Sequence, residues 1–302
     1  MDIKNKIIDS SLLFMIGIIW GSQFIFIKLS LENYTVLQLA FLRTFYATVF
    51  LFIICFLMGK KFFYHRNLLD ILKVIALSLL EIVIPFCMIN WGQKFLSGSM
   101  AAIIIGTIPF FTIVLVSVTR LEKVSLVSLL GIIIGFLGLW VLFYPDILNQ
   151  SLFDNILPKL AILSGALSFS IAILLIKTLP SENPLILSRD TFFLGSVILF
   201  FIEGSSIYQI RFDSVPPYSL FSSIILGVIC SGLVYVIYVL LIKRAGASFC
   251  SLSNYLVPIF GSVFGISFFN DQLTNHMLLA CLLIFISFST KPLFKYFKLV
   301  LR

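Results

Sequence analysis

Residues 94–122 read KFLSGSMAAIIIGTIPFFTIVLVSVTRLE, and residues 243–271 read KRAGASFCSLSNYLVPIFGSVFGISFFND. Each stretch opens on a lysine, has a proline near its middle and closes on an acidic residue. Lys94, Pro109 and Glu122 in the first correspond to Lys243, Pro258 and Asp271 in the second, all 149 residues apart. Working outward, Trp20/Phe169 and Lys28/Lys177 keep the same offset. The chain therefore reads as two copies of one unit, each almost wholly apolar.

Of the 302 residues, 60% are hydrophobic and only 11% charged. Soluble domains carry about 25% charged residues, so the composition points to an all-α protein that crosses a membrane many times. The net charge of +8 does not indicate a nucleic-acid partner, because the charges fall in short loops and at the termini. Cys55, Cys87, Cys230, Cys250 and Cys281 lie inside apolar runs without metal-ligand spacing, as small buried residues do. No cofactor or metal is expected. The run from Ser11 to Ile27 lacks a small-residue cleavage site after it and reads as a helix of the mature chain.

A membrane helix needs about 20 mainly apolar residues. Ten segments qualify: 11–30, 35–58, 71–92, 97–119, 124–144, 159–177, 185–203, 218–242, 247–269 and 274–290. They form a first repeat over 11–144 and a second over 159–290, joined by the linker 145–158. With the N-terminus in the cytoplasm, the cytoplasmic segments hold 15 Lys and Arg and the opposite side 4. That bias predicts both termini inside a cytoplasmic (inner) membrane. Five helices per repeat is odd, so the second copy enters inverted. Many secondary transporters share this layout, with the binding site at the repeat interface.

Gly17/Gly21, Gly131/Gly135 and Gly261/Gly265 stand one turn apart and predict close helix contacts. Pro109 and Pro258 fall mid-segment. Each leaves the carbonyl four residues earlier, at Ile105 and Asn254, without its helical partner. Such a carbonyl should face protein or a wet cavity, which makes both prolines candidates for bends or gates.

Charges within the bilayer are the sharpest hints. Glu81 falls near the middle of the third segment, and its counterpart in the second copy is Cys230. It is the candidate substrate-binding or coupling acid, with three possible settings: protonated, paired with Arg43, or facing a wet cavity. Arg43 is expected to snorkel outward, and Arg189 to be served by solvent or by Asp190. Uncharged polar candidates are Gln23, Asn90, Tyr235, Tyr238 and Asn254, with the flat rings of Trp20 and Tyr255 available to an organic substrate.

Trp20-Gly21-Ser22 resembles the opening motif of the EamA family of the drug/metabolite transporter superfamily. Arg43 falls where that family often has an arginine. Pro109 resembles its fourth-helix proline, and Glu122 followed by Gly131 and Gly138 its Glu-then-glycine pattern. The resemblance covers about residues 11–290 and implies ten helices in two EamA repeats. Arg43, Glu122 and Asp271 then stand as structural or coupling residues. The second copy departs from the pattern with Phe169-Ser170, Asp271, Ala280 and Ser287.

The function expected is a secondary active transporter, an exporter or exchanger of a small organic metabolite working by alternating access. Its partners are that metabolite, the lipid bilayer and a coupling proton or sodium ion. No phosphate-binding G-x-x-x-x-G-K-[ST] loop is present, so ATP hydrolysis by this chain is excluded. An intramembrane enzyme and a structural membrane subunit are the alternatives. The enzyme lacks H-E-x-x-H and a second intramembrane acid to pair with Glu81.

Overall fold

The computed structural model describes residues 3–60, 67–96, 98–122, 126–149, 155–179, 183–204 and 215–269, and helical residues at 275–276, 278–279, 282–284 and 286. The described residues are helical with short connections. α1 is Ile3–Leu31 and α2 is Val36–Leu57. α3, Leu68–Gln93, runs through a π-helical turn at Leu79–Val83. α4 comes in two pieces, α4a Gly98–Ile105 and α4b Ile108–Thr119. α5 is Leu126–Asn149, α6 Ile156–Lys177 and α7 Pro184–Glu203. α8, Pro217–Ala245, contains a second π turn at Val228–Leu233. α9 is also in two pieces, α9a Ala247–Ser251 and α9b Ser253–Phe269.

Six of these helices are long and apolar enough to span a bilayer: Asn5–Leu31, Val36–Leu57, Leu68–Gln93, Ile156–Lys177, Pro184–Glu203 and Pro217–Ala245. The sequence led us to expect ten. The fourth and ninth segments fall short because each is interrupted, and in the fifth only the shorter stretch Leu129–Gly138 counts as an apolar helix. Most of the tenth, like Asp271 and the loop with His65, lies outside the described residues. α5 runs on through Pro145 to Asn149, so the linker is shorter than its composition suggested.

The ends of the helices meet as alternating directions require. Near the start of α1, Asp9 accepts from Arg244 at the end of α8 (2.7 Å). Glu122, just past α4b, accepts from Lys177 at the end of α6. At the other end of the bundle, Tyr218 at the start of α8 donates to Glu32 beyond α1 (2.8 Å).

Glycine sets the α1–α9 crossing. A Cβ on Gly17 would stand 2.5 Å from Leu256 Cβ, and one on Gly21 2.6 Å from Phe260 Cβ. Small residues thus let the two backbones approach, the usual device where lipid supplies no hydrophobic drive between helices. This contact fixes Trp20, beside Gly21, against the helix that carries Asn254.

Candidate functional site: a central cavity lined from both halves

α3 and α8 run through the middle of the bundle, and each swells by a π turn where it passes the centre. The two turns begin at Leu79 and Val228, again 149 residues apart. A π turn inserts one residue and disturbs the backbone ladder, and such turns gather at functional sites. In α3 the cause is legible: Pro85 has no N–H to offer the carbonyl of Glu81, four residues back. The disturbed carbonyls find side chains instead. Ser168 donates to Leu80 O (2.6 Å) and Ser231 to Leu226 O (2.8 Å).

A central cavity lies between these turns, lined by polar and aromatic side chains from both halves. Six pairs of lining positions keep the 149-residue offset: Trp20/Phe169, Arg43/Phe192, Glu81/Cys230, Phe86/Tyr235, Ile89/Tyr238 and Ile105/Asn254. Positions 149 residues apart therefore face one space, with different side chains. The N-terminal half supplies both charges. The C-terminal half supplies neutral hydrogen-bonding groups at Ser231, Tyr235, Tyr238 and Asn254. The cavity has about 30 Å³ open to the centre of a water molecule, room for two or three waters at about 10–15 Å³ each. A metabolite enters only if the walls move.

Glu81 is 2% exposed, and neither carboxylate oxygen has a hydrogen-bond partner among the described residues. Of the three settings open to it, a permanent pair with Arg43 is absent among the described residues. Arg43 is engaged elsewhere, and it turns inward rather than snorkelling. Its Nε donates to Ser231 Oγ (2.6 Å) and its Nη2 to Gln23 Oε1 (2.9 Å) and Cys230 O (3.2 Å). Its guanidinium lies 3.9 Å from the centre of the Phe86 ring, a cation–π contact in a desolvated setting. Four partners thus fix the planar group.

Aromatic rings complete the wall. Trp20 meets Tyr238 edge-on at 4.9 Å, and Phe192 meets Tyr235 at 5.2 Å. The Tyr235 hydroxyl is buried without a hydrogen-bond partner among the described residues, while Asn254 donates back to Ser251 O (3.0 Å).

Trp20, Gln23, Arg43, Glu81, Tyr235, Tyr238 and Asn254 share this cavity. Asn90 and Tyr255 do not line it. Asn90 is buried near the C-terminal end of α3, donating to Val36 O (3.3 Å), and Tyr255 donates to Ile132 O of α5 (2.8 Å). The prolines stand behind the wall, while Ile105 and Asn254, whose carbonyls they release, line it. Pro109 does not bend a continuous helix. It opens α4b after a break at Gly106 and Thr107. Pro258 lies within α9b.

Arg189 is 1% exposed, bonded to Asp190 (2.7 Å) and over the Phe52 ring (5.4 Å), so solvent does not serve it. Phe86, Phe192 and Ser231 escaped the sequence reading. The offset would have found the first two, as partners of Tyr235 and Arg43.

Glu122 sits apart, at the end of the bundle that holds the N-terminus. It accepts from Lys177, from the amides of Ala247 (2.7 Å) and Ser248 (3.2 Å), and from Ser248 Oγ (2.8 Å). Burial would raise its carboxyl pKa, but the hydrogen bonds of Lys177, Ser248 and Ala247 prevail and hold it below the ordinary value.

Comparison with known proteins bears on what this cavity serves. An uncharacterized transporter of Bacillus subtilis (strain 168), YoaV, is 25% identical over 278 residues, covering 89% of this chain and 91% of that one. A probable amino-acid metabolite efflux pump of Escherichia coli (strain K12) is 25% identical over 287 residues, covering 91% and 92%. A solved crystal structure shares the fold with a TM-score of 0.77, covering 95% of this chain and 96% of the other at 13% identity. The model of the EamA-like transporter family matches residues 9–144 and 157–289.

Proposed function

Since the chain belongs to the EamA-like transporter family, we propose that it is a secondary active transporter. It carries a small organic metabolite across the cytoplasmic membrane by alternating access of the central cavity, with both termini in the cytoplasm and two inverted five-helix repeats. One observation carries this reading: a buried carboxylate without a hydrogen-bond partner among the described residues, in a central cavity walled by positions 149 residues apart in the two halves.

An ionised carboxylate buried without a charge partner is strongly disfavoured. Glu81 therefore holds a proton while the cavity is empty and gives it up when a cationic group of the substrate arrives. A proton suits this wall better than a sodium ion, because one proton neutralises a single carboxylate, whereas hard metal cations need several oxygen ligands. Arg43, fixed by Ser231, Gln23, the Cys230 carbonyl and Phe86, is the matching site for an anionic group. A guanidinium and a carboxylate in one aromatic-walled cavity suit a zwitterion such as an amino acid or a close derivative. The name of the Escherichia coli relative supports the same class.

The purified protein in proteoliposomes tests this. Counterflow of labelled amino acids with opposing proton movement is expected. Absence of any solute flux across an amino-acid panel, in a folded protein, would leave the structural-subunit alternative standing.

A further inference from the structure

α8 and α9a meet at a corner of one residue, Gly246, whose φ is +94°. Residues of the first copy grip that corner from two sides. Asp9 of α1, 2% exposed, accepts from Arg244 Nε at 2.7 Å, with Asn5 reaching Arg244 Nη2 at 3.5 Å. Glu122, beyond α4b, takes the amides of Ala247 and Ser248, the Ser248 hydroxyl and the Lys177 ammonium. The fit is close: a Cβ at 246 would stand 2.6 Å from Glu122 Oε1.

We propose that this corner, residues 244–248, is the gate that closes the cavity toward the N-terminal end, and that Asp9 and Glu122 are its two clamps. The proposal rests on the transport reading above. Three features favour a moving part over fixed packing. The corner joins the helix that brings Tyr235 and Tyr238 to the cavity to the one that brings Asn254. A swing of the corner therefore shifts three polar wall residues at once. α9 is interrupted at Leu252, between α9a and α9b, which gives the five-residue α9a a pivot. Finally, polar clamps contrast with the glycine seam between α1 and α9b. The seam is locked by backbone approach, whereas each clamp consists of a few side-chain hydrogen bonds that can break without prising two backbones apart. Asp9 and Glu122 are positioning residues and touch no substrate.

Cys230 provides a native reporter, because it lines the cavity and is 1% exposed. With Cys55, Cys87, Cys250 and Cys281 replaced by serine, its reaction with a membrane-impermeant thiol reagent is followed from each side in oriented vesicles. Glu122→Gln and Asp9→Asn should each raise labelling from the N-terminal side by about tenfold or more, as expected for loss of a charge-assisted hydrogen bond. Labelling from the other side should stay level or fall. Ser248→Ala, which removes one donor and no charge, should give a smaller rise in the same direction and serves if either charge variant folds poorly.

Unchanged labelling in these variants, or an equal rise from both sides, overturns the gate. Flux in proteoliposomes separates the two levels. A gate response in a protein without flux retains the clamps and removes the transport reading, whereas flux without a gate response does the reverse.

Discussion

Gly21→Ala adds one methyl group at the contact that sets the wall of the cavity. Its carbon would lie 2.6 Å from Phe260 Cβ and 3.1 Å from both Gly261 N and Val257 O. Carbon atoms in contact prefer about 3.5–4.0 Å, so α1 and α9b must part by close to an ångström. The obstruction is backbone and the root of a side chain, which cannot rotate away. Overpacking of this kind costs about 1–3 kcal/mol, reduced by the 0.5–1 kcal/mol or so that alanine gains over glycine inside a helix. Gly165→Ala is the matched control. Its methyl would stand 3.4 Å from Pro85 Cα and 3.6 Å from Ile89, ordinary contacts, so only the gain remains. The helix gain is common to both, so the two variants should differ by the overpacking cost alone, about 1–3 kcal/mol, or roughly 2–5 °C in unfolding midpoint, followed by tryptophan fluorescence in detergent. Gly21→Ala should also weaken transport, since Trp20 is its neighbour. Equal midpoints would refute the close α1–α9 crossing and, with it, the position of Trp20 against α9b.

Three further outcomes follow from the same geometry. Ser231→Ala removes the 2.6 Å bond to Arg43 Nε, and should weaken binding of carboxylate-bearing substrates about tenfold or more in competition assays while neutral amines lose little. Because the Glu122 carboxyl lies below its ordinary pKa, its contribution to stability is full above the unfolded value of about 4.3 and is lost as pH falls through the folded value. The midpoint difference between wild type and Glu122→Gln should therefore be constant near neutrality and vanish in acid. A cysteine at Asn149 should react with an impermeant thiol reagent in intact cells and one at Lys61 should not, and the reverse pattern would invert the proposed orientation.

Much of this site was legible before any coordinates. Glu81, midway along an apolar segment, the proline-released positions Ile105 and Asn254, and the ring of Trp20 all face the cavity, because a polar or flat group inside an apolar run needs a place to go. The offset of 149, read first from lysines, prolines and acids, also pairs the lining positions. Arg43 was misjudged, since snorkelling is a rule for isolated helices and here Ser231, Gln23, Cys230 and Phe86 supply partners. Asn90 and Tyr255 share the residue types of the true lining, but neighbouring helices claim them, which a single helix cannot reveal. Asp9 went unnoticed because it lies before the apolar run and its partner Arg244 is 235 residues away. Pro85 was passed over although it marks the π turn under Glu81.

The central claim is that Glu81 exchanges a proton for a substrate cation inside the central cavity. The most direct test is proton movement coupled to amino-acid flux in proteoliposomes loaded with a pH-sensitive dye, comparing wild type with Glu81→Gln. Glutamine keeps the shape of the side chain and cannot titrate. The account predicts a folded variant that loses gradient-driven accumulation and proton movement while retaining any residual exchange without pH dependence. Full, pH-dependent, proton-coupled transport by a stable Glu81→Gln protein would contradict it.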